Sequence, residues 1–238
     1  MSQITAELAP TGVLRAGINM SNGLLVTGVR PSGDPQGVAP DMAAEIARQL
    51  GVGVAYIKFD RPSLLADAAG TGVWDIGLIA VEPARAERIA FTPAYCGIEA
   101  TYLVPADSPC HNPADVDHPG ARIAVRRGAA YDLWLDRNIK HASLVRSDGA
   151  DGPLNQFVAE HLDALAGLRQ QLLQDLKKAP GARILSGNFT TVQQAIGTAK
   201  SNLAGAAFLR DFVAQAKRTG LVAQLIEKHK VVGLSVAA

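Results

Sequence analysis

Apolar and polar positions along the chain follow two rhythms, a period of two and a period near 3.6, and the rhythms take turns. Residues 13–18, VLRAGI, alternate as a strand, and the glycine-rich SNGLLVTGVRPSGDPQG after them predicts a loop or hairpin. In PDMAAEIARQLG the apolar residues Met42, Ile46 and Leu50 share one helical face, Asp41 reads as the helix start and Gly51 stands where a C-terminal cap belongs. A strand at 52–59, a short helix in RPSLLADAAGTG, a buried strand in WDIGLIAV and a helical turn in PARAERI continue the alternation.

The order resumes in the second half. Strands are predicted at 121–128, 142–147 and 162–167, and helices at 129–139, 152–160 and 168–178, with a helical C-terminal stretch over 204–229. Strand and helix in regular succession predict an α/β fold with largely parallel strands. The second series is no sequence repeat of the first, so short crossings must join two lobes. GIEATYLVPADSP going over and TVQQAIGTAKSN coming back are extended enough to serve.

Composition narrows the function classes. The chain has 238 residues, 48% of them hydrophobic, which suffices for one large core or two medium ones. Its 23 basic and 22 acidic residues are dispersed, which leaves no electrostatic footprint for nucleic acid or an anionic membrane surface. No apolar run approaches the roughly 20 residues of a membrane span, so no direct membrane insertion is expected. The N-terminal MSQITAELAPTGVLRAG lacks the charged and hydrophobic regions of a secretory signal, which was either removed or never present. Cys96 and Cys110 fit neither a CxxC nor a zinc pattern and are expected as unpaired thiols; no metal and no cofactor is expected.

Five motifs, in order, carry a resemblance: the GINMSNG loop, GVAPDMAAEIARQLG, GVWDIGLIAV, then EPARAERIAFTPAY, and IAVRRGAAYDLWL. Over residues 13–235 the chain resembles the family 3 extracellular solute-binding proteins, the amino-acid-type receptors of ABC importers. The resemblance implies a two-lobe, type II periplasmic-binding-protein-like fold with a two-stranded hinge and an interlobe ligand cleft that closes on a small molecule. It implies a discontinuous first lobe of residues 1–103 plus 197–238 and an inserted lobe of residues 104–196. It also implies a periplasmic monomer whose partners are a carboxylate-bearing ligand and ABC transporter membrane subunits.

The same resemblance nominates ligand contacts. Arg85, six residues before Phe91 of FTPAY, matches the family arginine that grips the ligand carboxylate, and a guanidinium does this with two parallel charge-assisted hydrogen bonds. The alternative is a structural ion pair with Glu82 or Glu87. Arg88 has no such match and reads as a solvated charge. The family threonine in this turn is here Glu82, and Leu78, Ile79 and Ala80 precede it, so Ala80 offers backbone only. Gly128, Ala129 and Ala130 replace a glycine-hydroxyl turn; hydroxyls are lost, while the amides of a helix N-terminus still favour an anion, unless Gly128 is a plain tight turn. Asn19, Ser21 and Asn22 either contact ligand or satisfy their own turn. Gln194 on the returning crossing reaches toward the site, as does Tyr95 unless it packs the hinge.

The largest departure from the family is at Leu168 and Arg169, where receptors of α-amino acids place an aspartate for the ammonium. A cation there, if it faces the cleft rather than solvent, implies an organic acid without an amine. Two other classes compete with import. One is a cyclohexadienyl-dehydratase-like lyase, for which only Asp163, Glu82 and Glu99 offer carboxylates and no catalytic residue is nominated. The other is a sensory ligand-binding module.

Overall fold

A computed structural model describes residues 2–149 and 151–238. The elements open with α1 (Gln3–Leu8), β1 (Val13–Asn19), β2 (Gly28–Val29), β3 (Pro35–Gln36), α2 (Val38–Leu50), β4 (Gly53–Phe59) and α3 (Pro62–Asp67). They continue with β5 (Ile76–Ala80), α4 (Pro83–Ala86), β6 (Ile89–Phe91), β7 (Cys96–Pro105), a 3-10 turn (Pro113–Val116), β8 (Arg122–Arg126), α5 (Ala130–Asn138) and β9 (Ser143–Ser147). The chain closes with α6 (Gly152–Ala159), β10 (Ala164–Leu168), α7 (Arg169–Asp175), β11 (Ala182–Ile184), β12 (Thr190–Ala199), α8 (Leu203–Arg218), α9 (Leu221–Lys228) and β13 (Leu234–Val236).

Two compact units divide these elements, one holding the chain up to Gly97 together with Gln193–Ala238, the other Ile98–Val192. The expected lobe limits of 103/104 and 196/197 fall inside β7 and β12, strands that run unbroken from one unit into the other.

In the first unit β1 lies between β4 and β5 and is parallel to both, and β12 runs antiparallel to β5 with Gln194 opposite Ala80. Helices α2 and α3 cover β1, and α1 packs on α8. The helical face foreseen on α2 is buried through Val38, Met42, Ala43, Ile46 and Ala47. Its start is not where the sequence put it. Gly37 precedes the helix, which begins at Val38, and Asp41 sits inside the first turn, where its carboxylate accepts from Lys228 Nζ at 2.7 Å, His229 Nε2 at 2.8 Å and Arg30 Nη2 at 3.0 Å. Burial alone would raise the Asp41 carboxyl, but the hydrogen bonds from Lys228 and His229 hold it below its ordinary value. The C-terminal helical stretch divides in two at Gly220.

Strand β12 also pairs with β6, and at their crossing Gly197 faces Phe91. A Cβ on Gly197 would stand 2.2 Å from Ile89 Cγ2 and 3.1 Å from Phe91 Cδ1. Ile89 is 1% exposed and packed with Leu65, Trp74 and Ile79, so it has nowhere to go. Gly197→Ala is therefore expected to destabilise the protein by about 1–3 kcal/mol in urea unfolding. Gly53→Ala, whose Cβ meets nothing within 4 Å, is the control and should stay within about 0.5 kcal/mol.

In the second unit the sheet order is β7-β10-β8-β9, with β10 antiparallel to β7 and parallel to β8, and β11 on β7. Both faces are buried, and the period of two sorts them. Tyr102, Val104, Ile123, Val125, Ala164 and Ala166 face one core, while Leu103, Ala124 and Leu165 face the other with Leu154, Phe157 and Leu172. The strands and helices expected from the pattern are present. The structure adds α1, β6, β11, β13 and the 3-10 turn.

Candidate functional site

Parallel strands deliver their following loops to one edge of a sheet, and in open α/β sheets ligands collect outside the carboxyl ends of strands. In the first unit β1 and β5 end at Asn19 and Ala80, and antiparallel β12 brings Gln194 opposite Ala80. After β1 the chain turns on its own side chains. Asn19 Oδ1 accepts from Ser21 Oγ at 2.7 Å and Ser21 N at 3.3 Å, and Asn22 Oδ1 accepts from Leu24 N at 3.2 Å. Turn chemistry thus occupies one side-chain oxygen each of Asn19 and Asn22 and the hydroxyl hydrogen of Ser21.

After β5, Glu82 and Pro83 start the four-residue helix α4, which carries Arg85 back over the strand end. Arg85 is 6% exposed and its Nη1 donates to the Ala80 carbonyl at 2.9 Å. Burial pulls the guanidinium down to about 10, against the raising influence of the Glu82 and Asp67 charges, so it remains a cation at neutral pH. The structural ion pair weighed from sequence therefore has Glu82, also buried, beside it, whereas Glu87 and Arg88 are exposed. Gln194 and Ala80 are buried in the same edge.

Tyr95 does not line an open surface. It is wholly buried, its N–H donates to the Gln194 carbonyl at 2.9 Å, and among the described residues its hydroxyl has no hydrogen-bond partner. Burial and the adjacent Cys96 thiol push the phenol well above its ordinary value. Cys96 and Cys110 are both free and buried.

In the second unit the turn after β8 places Gly128 at φ 71, a left-handed conformation that a Cβ disfavours. Its amide is not held open for an anion. Gly128 N donates to Asp132 Oδ2 at 2.8 Å, while Asp132 Oδ1 accepts from Arg146 Nε at 2.8 Å. The chain's own carboxylate, four residues on and 2% exposed, takes this one N–H. Ala129 and Ala130 follow as the buried N-cap and first residue of α5, without a side-chain cap.

Arg169 is likewise neither a solvated charge nor an uncommitted cation. Its Nε donates to Glu99 Oε2 at 2.7 Å, Nη1 to the Leu185 carbonyl at 3.4 Å, and Nη2 to the Gly187 carbonyl. The planar fork of donors ties the end of β10 to β7 and to the segment leading into β12. The inference of a ligand without an amine, which rested on a cation facing it, loses that support. Of the carboxylates considered for catalysis, Asp163 lies at the opposite, amino end of β10 and accepts from Arg122 N at 2.8 Å. Next to Glu99 on β7, Ala100 accepts from Phe189 N, and the Phe189 ring packs 4.6 Å from Tyr102 and 5.5 Å from Trp134. Among the described residues no group of three or more His, Cys, Asp or Glu could hold a metal ion, and no helix is long and apolar enough to cross a membrane.

The family of bacterial extracellular solute-binding proteins, family 3, matches residues 20–231, from the end of β1 to just past α9. The chain belongs to that family. No curated protein sequence matches it. Among solved structures this family 3 protein is similar to the solute receptor for L-cysteine of Neisseria gonorrhoeae, at 20% identity over 98% of this chain and 96% of that one, with a TM-score of 0.77. A mutant of ArgBP from T. maritima is 23% identical over 96% and 99% of the two chains, with a TM-score of 0.74. A histidine kinase sensor domain with similarity to periplasmic binding proteins is 17% identical over 94% and 97%, also at 0.74. At these identities the likeness establishes the fold of this solute-binding protein as the type II periplasmic-binding-protein architecture.

Proposed function

We propose that this family 3 solute-binding protein is the periplasmic receptor of an ABC importer and captures a small carboxylate-bearing molecule, an amino acid or related organic acid, by closure of its two units as lobes. The observation that carries this is Arg85: a cation retained at 6% exposure on the carboxyl edge of the first unit's sheet, where burial works against its charge. The Glu82 and Asp67 charges offset part of that cost, and a perturbed cation at a strand-end edge is where a ligand carboxylate gains most. Ala80, Gln194, Asn19, Ser21 and Asn22 surround the same edge, and Gly128, Ala129 and Ala130 belong to the corresponding edge of the second unit. The protein works as a binder rather than an enzyme and acts as a monomer.

A thermal-shift panel of amino acids and their keto and deamino analogues tests the reading. Ligand at about 100 times its dissociation constant adds about 2.7 kcal/mol to stability, so a cognate acid stands clear of the rest. Stabilisation by no carboxylate in the panel, or equally by the neutral amides of the same compounds, would sink it.

A further inference from the structure

Glu99 is out of keeping with its strand. Along Cys96–Val104 every other residue is buried, while Glu99 alone is exposed, its side chain at 54%. Glutamate is a poor strand former, and a strand with both faces covered has no local reason to carry one. Its position is informative. Ala100 pairs with Leu168, the last residue of β10, so Glu99 lies one step beyond the carboxyl end of that strand. The turn after β8 belongs to the same edge, because β8 and β10 are parallel.

The Arg169 contact does not explain Glu99 as a stability device. With side chains 26% and 54% exposed, such a pair is screened by water and contributes little to stability. What the contact does is orient. Arg169 is itself fixed by the carbonyls of Leu185 and Gly187, and it holds only Oε2; among the described residues Oε1 accepts no hydrogen bond. A carboxylate oxygen is thus presented at the strand-end edge in a set direction, with the guanidinium charge shared among three acceptors.

We infer that Glu99 is the specificity-determining acceptor of the second unit, receiving an N–H of the ligand's protonated α-amine, and that Arg169 is its positioning residue. The inference rests on the receptor reading above. It reverses the expectation drawn from Arg169 alone, since the cation serves the carboxylate and not the ligand.

Calorimetry with three matched pairs tests it: L-arginine and 5-guanidinopentanoate, L-lysine and 6-aminohexanoate, L-cysteine and 3-mercaptopropionate. The unmodified protein should bind the amino acid of at least one pair about tenfold or more tightly than its deamino partner. Glu99→Gln, close to isosteric, should erase most of that preference while changing the deamino acid less than about twofold. Arg169→Gln should reduce the preference in the same sense, with the melting temperature of Glu99→Gln confirming that its fold is intact. If Glu99→Gln weakens both members of a pair alike, or leaves the preference standing, the inference is overturned. Binding of deamino acids alone overturns it too, while the receptor reading survives. No binding to any of the six overturns the inference together with the amino-acid form of that reading.

Discussion

Arg85→Ala is expected to cost about 2–5 kcal/mol of affinity for a carboxylate ligand, a loss of roughly thirtyfold to several thousandfold, whereas Arg88→Ala should cost almost nothing. The two arginines are three residues apart and differ in one physical respect: Arg85 is 6% exposed and Arg88 is on the surface. Burial is the largest influence on the Arg85 guanidinium and depresses it to about 10, with Glu82 and Asp67 opposing that shift. A ligand carboxylate arriving there meets a cation already stripped of much of its water, so the attraction is little screened. The fork geometry adds to this, because two parallel N–H donors fit one carboxylate. Arg85→Lys keeps the charge and loses the fork, and should fall between the two. Both partners stay ionised from about pH 6 to 9, so affinity should be flat across that range. Titration calorimetry with the tightest acid from the panel decides the matter, and equal losses for Arg85→Ala and Arg88→Ala would contradict the assignment.

Legibility in the sequence followed the length of the pattern. Strands such as β1, β5 and β8 and helices such as α2 and α5 carry enough positions for a period to show, and they were readable. The three-residue strands β6, β11 and β13 were not, since each exists through its neighbour's ladder rather than its own alternation. Asp41 looked like a helix start because acidic residues favour first turns, yet it stands inside the helix as the acceptor for Lys228 and His229, residues 187 and 188 positions away. Unit limits fall within β7 and β12, and no composition shift marks a limit inside a continuous strand.

The site divides along the same line. Arg85, Gly128 and Arg169 could be singled out because short motifs fix their positions relative to a strand end. Their partners could not. Glu99 and Arg169 are 70 residues apart, and Arg146, which joins Asp132 below the Gly128 turn, is on a different strand. Residue type alone suggested that Arg169 was a cation in search of an anion; only the fold reveals that the chain supplies the anion itself.

The largest loss of stability is expected at the other end of the first sheet, from breaking the pair of Arg15 and Asp75 by a change such as Asp75→Ala. The Asp75 side chain is 4% exposed and takes three hydrogen bonds from one residue: Arg15 N at 2.8 Å, Arg15 Nε at 3.0 Å and Arg15 Nη2 at 2.6 Å. Arg15 Nη1 donates to the Gly72 carbonyl, and the Asp75 carbonyl accepts from Thr198 Oγ1 at 2.8 Å, so the pair links β1, the approach to β5, and β12. Removing one partner of a buried pair costs about 3–5 kcal/mol. Arg15 is 24% exposed and water recovers part of that, which places Asp75→Ala near the lower end, about 3 kcal/mol. Arg15→Met leaves the better-buried charge behind and should cost at least as much. The double change Arg15→Met with Asp75→Ala leaves no ion unpaired and should cost far less than the sum of the singles, an interaction energy of about 2 kcal/mol or more. Trp74 is buried next to Asp75 in the first unit, and the chain's other tryptophan is Trp134 in the second. Urea unfolding in a Trp134→Phe background therefore follows the first unit by its own fluorescence, and single changes that add without coupling would show that the pair is not what holds these strands in place.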